Sequence, residues 1–130
     1  MGLRLHEVVI DCADPQRLSD FWAEVLGWPA IDSESDEHGL ILVELGPPPG
    51  SPEEGIAPTL IFLRNPDRPT GKNRLHLDVV PESAAQQAAE VARLEGLGAA
   101  RADIGQGPNV GWVVMTDPER NVFCVLLPHS

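Results

Sequence analysis

Three polar side chains alternate along one extended stretch: Arg74, His76 and Asp78, within Arg74 to Val80. A strand sends successive side chains to opposite faces, so these three share one face. Leu75, Leu77 and Val79 form the other, apolar face. An imidazole titrates near neutral pH, so His76 can act as an acid, a base or a hydrogen-bond donor. A guanidinium can hold an anionic group by a bidentate contact, which is the role open to Arg74. The structural alternative is a salt-bridged Arg74–Asp78 pair that steadies His76. Near the start of the chain, Glu7, Val9 and Asp11 share a face in the same way. Asp11 either orients a ligand or serves the fold, by pairing with Arg74 or capping a turn. Phe62, Trp112, Val114 and Val122 are candidates for an apolar wall beside these groups. With three Trp and three Phe in the chain, each aromatic is also needed to fill a core. Lys72, just before the polar strand, is expected to be a surface charge.

The elements that must position these residues follow from periodicity. Leu5 to Ala13 is β-branched, apolar and interrupted by polar residues, which predicts a strand. Asp14-Pro15 is a helix start, because Asp can cap and Pro is tolerated at the first helical position. Leu18, Phe21, Trp22, Val25 and Leu26 recur at helical spacing, and Gly27 ends the helix. Trp28 to Asp32, Gly39 to Leu45 and Thr59 to Leu63 are expected strands, with a solvated turn or hairpin end at residues 32–37. Between the last two lies GPPPGSPEEG, Gly46 to Gly55, a loop because prolines lack the ladder donor. The second half has the same plan. Arg74 to Val80 is a strand, and Pro81-Glu82-Ser83 opens a helix to about Leu97, with Ala85, Ala88, Ala89, Val91, Ala92 and Leu94 as its buried positions. Ala99 to Asp103, Trp112 to Met115 and Val122 to Leu127 are strands, with a turn at Asp117 to Asn121. The order is βαβββ twice, repeated at about half the chain length. This predicts an α+β fold of two modules, about 1–66 and 72–130, whose curved mixed sheets surround a cleft. Clefts of this kind are where small ligands bind.

Composition narrows the function classes. The chain has 130 residues, and nine basic against twenty acidic residues give a net charge of −11. Phosphate neutralisation needs a basic face, so nucleic acid is excluded as a partner, and an anionic membrane surface repels the chain. No apolar run approaches the roughly 20 residues that span a bilayer, and the start of the chain is not a signal peptide. Two cysteines, Cys12 and Cys124, are too few for a disulfide scaffold and are expected to be buried free thiols in a reducing compartment. There is no Gly-x-Ser-x-Gly elbow, P-loop, Cys-x-x-Cys or dinucleotide fingerprint, and no Tyr.

The words Ile10-Asp11-Cys12-Ala13-Asp14-Pro15, Phe21-Trp22-Ala23-Glu24-Val25-Leu26-Gly27-Trp28, His76-Leu77-Asp78 and Asp117-Pro118-Glu119-Arg120-Asn121-Val122-Phe123 span the chain in order. Together they resemble the vicinal oxygen chelate superfamily, the glyoxalase, bleomycin-resistance and dioxygenase fold. The chain is most similar to its small glyoxalase-like proteins of unassigned function. The resemblance implies paired βαβββ modules and a homodimer. It also implies where a divalent metal would sit in the family's enzymes: Glu7, His76 and Cys124 occupy the ligand positions. His76 keeps the family's residue type; Glu7 and Cys124 depart from the His and Glu of those enzymes. His6, one residue early, would point to the opposite face, against the helix. Arg120 replaces the Gly common in the family's last turn, so that turn is expected to take another shape.

The resulting expectation is a cytoplasmic, homodimeric protein that binds a small molecule without a tightly bound metal or other cofactor. It would sequester a ligand or perform acid–base chemistry through His76 and Glu7. Arg74, Asp11, Asp78, Phe62, Trp112, Val114 and Cys124 would contact the ligand. One alternative is a divalent-metal-dependent lyase, isomerase or dioxygenase using Glu7, His76 and Cys124. Another is a non-catalytic interaction module.

Overall fold

Asp14 starts the first helix by accepting, through Oδ1, a hydrogen bond from the Arg17 backbone N–H at 3.2 Å, with Pro15 at the first helical position. Gly27 ends it with φ 67°, its N–H donating to the Ala23 carbonyl at 2.8 Å. A computed structural model, which describes residues 2–67, 71, 73–107 and 110–128, shows the βαβββ order twice. Lys72 lies outside the described residues. The chain divides into two compact units, Met1–Pro69 and Thr70–Ser130.

The first unit contains β1 (Glu7–Cys12), α1 (Pro15–Leu26), β2 (Ala30–Asp36), β3 (Gly39–Leu45) and β4 (Thr59–Arg64). Its sheet runs β1-β4-β3-β2. β1 pairs with β4 in parallel, and the other pairs are antiparallel. Helix α1 packs on β3 and β4. Leu18, Phe21 and Trp22 are buried on the helix, and Val43, Leu45, Leu60 and Phe62 are buried on the sheet. Phe21 meets Trp22 edge to face, with ring centroids 5.4 Å apart.

β2 is longer than the sequence pattern predicts. The run of acids and serines reads as a turn, yet it pairs with β3 as far as Asp36↔Gly39. Antiparallel pairing with an apolar partner sets its length, and as an edge strand it leaves every residue exposed. Arg64 ties its end by donating to Asp36 Oδ2 at 2.6 Å. That bond, followed by the one from the His38 backbone N–H, holds the Asp36 carboxyl below its ordinary range. Gly46 to Gly55 is irregular, as expected, and is ordered by local turns such as Ser51 N–H to the Pro48 carbonyl.

The second unit contains β5 (Leu77–Val79), a 3₁₀ turn at Ala84–Gln86, α2 (Gln87–Leu97), β6 (Ala100–Arg101), β7 (Val113–Thr116) and β8 (Val122–Val125). Its sheet runs β5-β8-β7-β6, and β5 pairs with β8 in parallel. β5 is short, so Arg74 and His76 lie just ahead of it. Only Val91 and Leu94 are buried on α2; Ala85, Ala88, Ala89 and Ala92 are exposed. A methyl group gains little from burial, and the larger side chains decide which stripe turns inward.

The turn between β7 and β8 corrects one expectation. Arg120 keeps φ at 69°, the left-handed conformation that suits glycine, although it carries a side chain. The Asp117 backbone N–H donates to the Asn121 carbonyl and the Arg120 N–H to the Asp117 carbonyl, both at 2.9 Å, which holds the turn in this shape. Left-handed φ costs an L-residue about 1–2 kcal/mol. Arg120→Gly should therefore stabilise the protein by about 0.5–1 kcal/mol after the extra chain entropy of glycine is deducted. Urea denaturation checks this, and an unchanged or lower midpoint contradicts it.

Candidate functional site

In the second unit, strand pairing brings the chemistry together. The parallel register sets Asp78 beside Cys124, and the antiparallel one sets Val114 across from Cys124. Partners across a ladder share a face, so Asp78, Cys124, Val114 and Val122 lie on one side of this sheet. Phe123, Val125 and Met115, all at 1% exposure or less, lie on the other. His76 enters just before β5, and its Nε2 stands 3.2 Å from Asp78 Oδ1. Both side chains are nearly half exposed, so the pair contributes little to stability. It does hold the imidazole in place.

His76, rather than Arg74, is therefore the partner of Asp78. Arg74 is exposed and makes no ion pair among the described residues. The predicted Arg74–Asp78 bridge is replaced because His76 is two residues from Asp78 and reaches it first.

Cys124 is buried, with 4% exposure. Burial pushes its thiol up, and the charge and hydrogen bond of Asp78 add to the effect. Cys124 is a neutral thiol at physiological pH. One nitrogen of His76, one oxygen of Asp78 and the sulfur of Cys124 all lie within 4.8 Å of one another. Sequence reasoning did not single out Asp78 as a donor in this set. The signal was present in the His76-x-Asp78 spacing, but the parallel register that adds Cys124 has no local sequence mark. Imidazole, carboxylate and thiol form a donor set that suits a borderline-soft divalent ion such as zinc, provided the thiol gives up its proton.

Trp112 sits at the entry to β7 with 41% exposure, and Val114 is buried at 2%. Trp112 is thus not a core residue, whereas Val114 is.

In the first unit, the register pairs Glu7 with Thr59, Val9 with Ile61 and Asp11 with Leu63. These six side chains share the sheet face away from α1. Glu44 and Leu42 join them, and Glu44 Oε2 accepts a 2.6 Å hydrogen bond from Thr59 Oγ1. Glu7 is partly buried, and its Oε1 stands 3.4 Å from His6 Nε2. His6 is 71% exposed, so it does not pack against the helix as expected, because it precedes β1 rather than belonging to it. Asp11 serves the fold: its Oδ2 accepts from Asn65 Nδ2 at 3.1 Å.

Phe62 is the clear correction. Its neighbours across the ladder are Ile10 and Val43, on the α1 side, and its exposure is 0%. It is a core residue, not a wall beside Glu7 and Asp11.

The βαβββ order, found in each of the two units, is matched by known proteins. A family model described as Glyoxalase-like domain matches residues 7–126. The chain belongs to the glyoxalase-like domain family. Solved proteins of the glyoxalase/bleomycin resistance/dioxygenase group share its fold. One is a glyoxalase/bleomycin resistance protein/dioxygenase family enzyme from Burkholderia phytofirmans PsJN. It is 21% identical, the match covers 95% of this chain and 97% of that one, and the TM-score is 0.71. Another is an antibiotic binding protein from Streptomyces sp. CB03234, 22% identical over 99% of both chains, with a TM-score of 0.63. A variant of the fosfomycin resistance protein FosX from Listeria monocytogenes was solved with Mn(II) and 1S,2S-dihydroxypropylphosphonic acid. It is 14% identical, covers 99% of this chain and 95% of that one, and has a TM-score of 0.75. A search of curated proteins found no match. Among the described residues of this glyoxalase-like protein, no helix is long and apolar enough to cross a membrane.

Proposed function

We propose that this glyoxalase-like protein binds a small molecule at the sheet face carrying His76, Asp78 and Cys124, without needing a tightly held metal. The observation that carries the proposal is the His76–Asp78 pair beside the buried Cys124 thiol. Asp78 occupies Nε2 of His76 and leaves Nδ1 for a ligand. His76 then donates or accepts a proton at that atom, or simply anchors the ligand. Arg74 has no carboxylate partner among the described residues and suits an anionic group on the ligand. Trp112 offers an accessible aromatic surface. Glu7, on the face of the first sheet away from α1, is proposed as an acid–base group of its own unit, with Asp11 supporting its strand. The solved antibiotic binding protein supports ligand capture as a use of this fold.

The family match spans both units, which supports taking them as one domain of about 1–130. We further propose a cytoplasmic homodimer. Two buried cysteines, Cys12 and Cys124, carried as thiols rather than as a disulfide, agree with a reducing compartment.

The clustering of three donor atoms within 4.8 Å supports a second reading, a divalent-metal enzyme. His76, Asp78 and Cys124 would hold the ion. A zinc ion there would supply Lewis acidity. The solved FosX complex with Mn(II) supports metal use on this fold.

Elemental analysis of protein purified without chelator separates the two. The first reading expects less than stoichiometric metal, together with thermal stabilisation by small anions such as lactate or propylphosphonate. Stabilisation amounts to about 2.7 kcal/mol at a hundredfold excess over Kd, and His76→Ala should remove it. One equivalent of a divalent ion, lost in His76→Ala, overturns the first reading in favour of the second.

A further inference from the structure

The first unit has a hollow on the side opposite to Glu7 and Asp11. Helix α1 forms one wall with Gln16, Ser19, Asp20 and Ala23, and the buried side of β3 forms the floor with Val43 and Leu45. Trp28, in the link from α1 to β2, also lines it. The cavity measures about 280 Å³, just below the usual range for ligand sites and suited to a small molecule.

Its chemistry is one-sided. Among all the residues that line it, Asp20 is the only titratable group. One of its oxygens, Oδ1, accepts from Gln16 Nε2 at 2.7 Å, which fixes the carboxylate at the rim. Oδ2 is left open, and Asp20 makes no ion pair among the described residues. A fixed carboxylate calls for a cationic partner. Trp28 is the aromatic whose face most favours a cation, and Ala23, Val43 and Leu45 suit alkyl groups. The net charge of −11 raises the local concentration of cations and repels anions.

We propose that the hollow between α1 and the β2–β3 hairpin is a binding site for a small alkylammonium ion. The ammonium would pair with Asp20, with its alkyl groups against Trp28 and the apolar lining. This site is independent of the His76 face.

Nitrogen-15 correlation spectra recorded during titration with choline test it. The neutral comparison is 3,3-dimethylbutan-1-ol, which has the same shape without the charge. Choline should shift the Trp28 indole N–H and the amides of Asp20 and Ala23, and the neutral isostere should bind about tenfold more weakly or worse. Asp20→Asn should weaken choline about tenfold, Asp20→Glu should largely restore it, and Trp28→Leu should weaken it about threefold. Asp20 is exposed on the helix, so its variants leave the core intact. Equal binding of the neutral isostere overturns the proposal, as does choline affinity unchanged by Asp20→Asn. So do choline shifts confined to other residues, or no shifts at all.

Discussion

Phe62→Ala should destabilise the protein by about 4 kcal/mol. Phe62 is fully buried, flanked across the ladder by Ile10 and Val43 and covered by α1. Truncation removes most of a large side chain and leaves a cavity that a helix capped at both ends cannot easily collapse into. Lost transfer energy and the unfilled space add together. Urea denaturation should show a lower midpoint with an unchanged slope, since the surface exposed on unfolding is nearly the same. A loss below about 1 kcal/mol would mean that Phe62 faces an open space, as a ligand wall would.

Asp117→Ala should cost about 3 kcal/mol. Asp117 is buried at 3% exposure in the turn between β7 and β8. Its Oδ1 accepts from the backbone N–H groups of Glu119 at 2.9 Å and Asn121 at 3.0 Å. Asn121 Nδ2 donates to both of its oxygens, at 3.2 and 3.0 Å. Alanine removes every acceptor at once and leaves those donors in a site with little access to water. Asp117→Asn keeps one acceptor oxygen and should cost about half as much. The turn sets the start of β8, so its loss also loosens the strand that carries Cys124. Denaturant melts of the two variants give the comparison, and equal losses would show that shape rather than hydrogen bonding is what the turn requires.

Alternation made much of the site readable. It assigned Glu7, Val9 and Asp11 to one face, and it joined His76 with Asp78, because polar and apolar residues take turns in both stretches. Phe62 defeated it. Thr59 to Leu63 is apolar at almost every position, so neither face is marked, and a slip of one residue exchanges them. Only the pairing with β1 and β3 settles the side. The same limit hid the Asp78–Cys124 neighbourhood, which arises from two strands distant in sequence. The solvated look of residues 32–37 likewise concealed a strand, since an exposed edge needs no apolar residues of its own. Helix signals did better: Asp14, Pro15 and Gly27 act within one turn, and such short-range bonds depend on little else.

The parallel pairing of β1 with β4, and of β5 with β8, has a consequence for how the chain is made. Within each half, the first strand to leave the ribosome is hydrogen-bonded to the last one of that half. α1 and the β2–β3 hairpin can form early from neighbouring residues, while Glu7–Cys12 waits for Thr59–Arg64 to be synthesised before its edge is satisfied. Loops closed over such separations slow the docking step. During translation each half therefore carries an unpaired leading strand until its own final segment emerges, and the nascent protein passes through two such closures in succession.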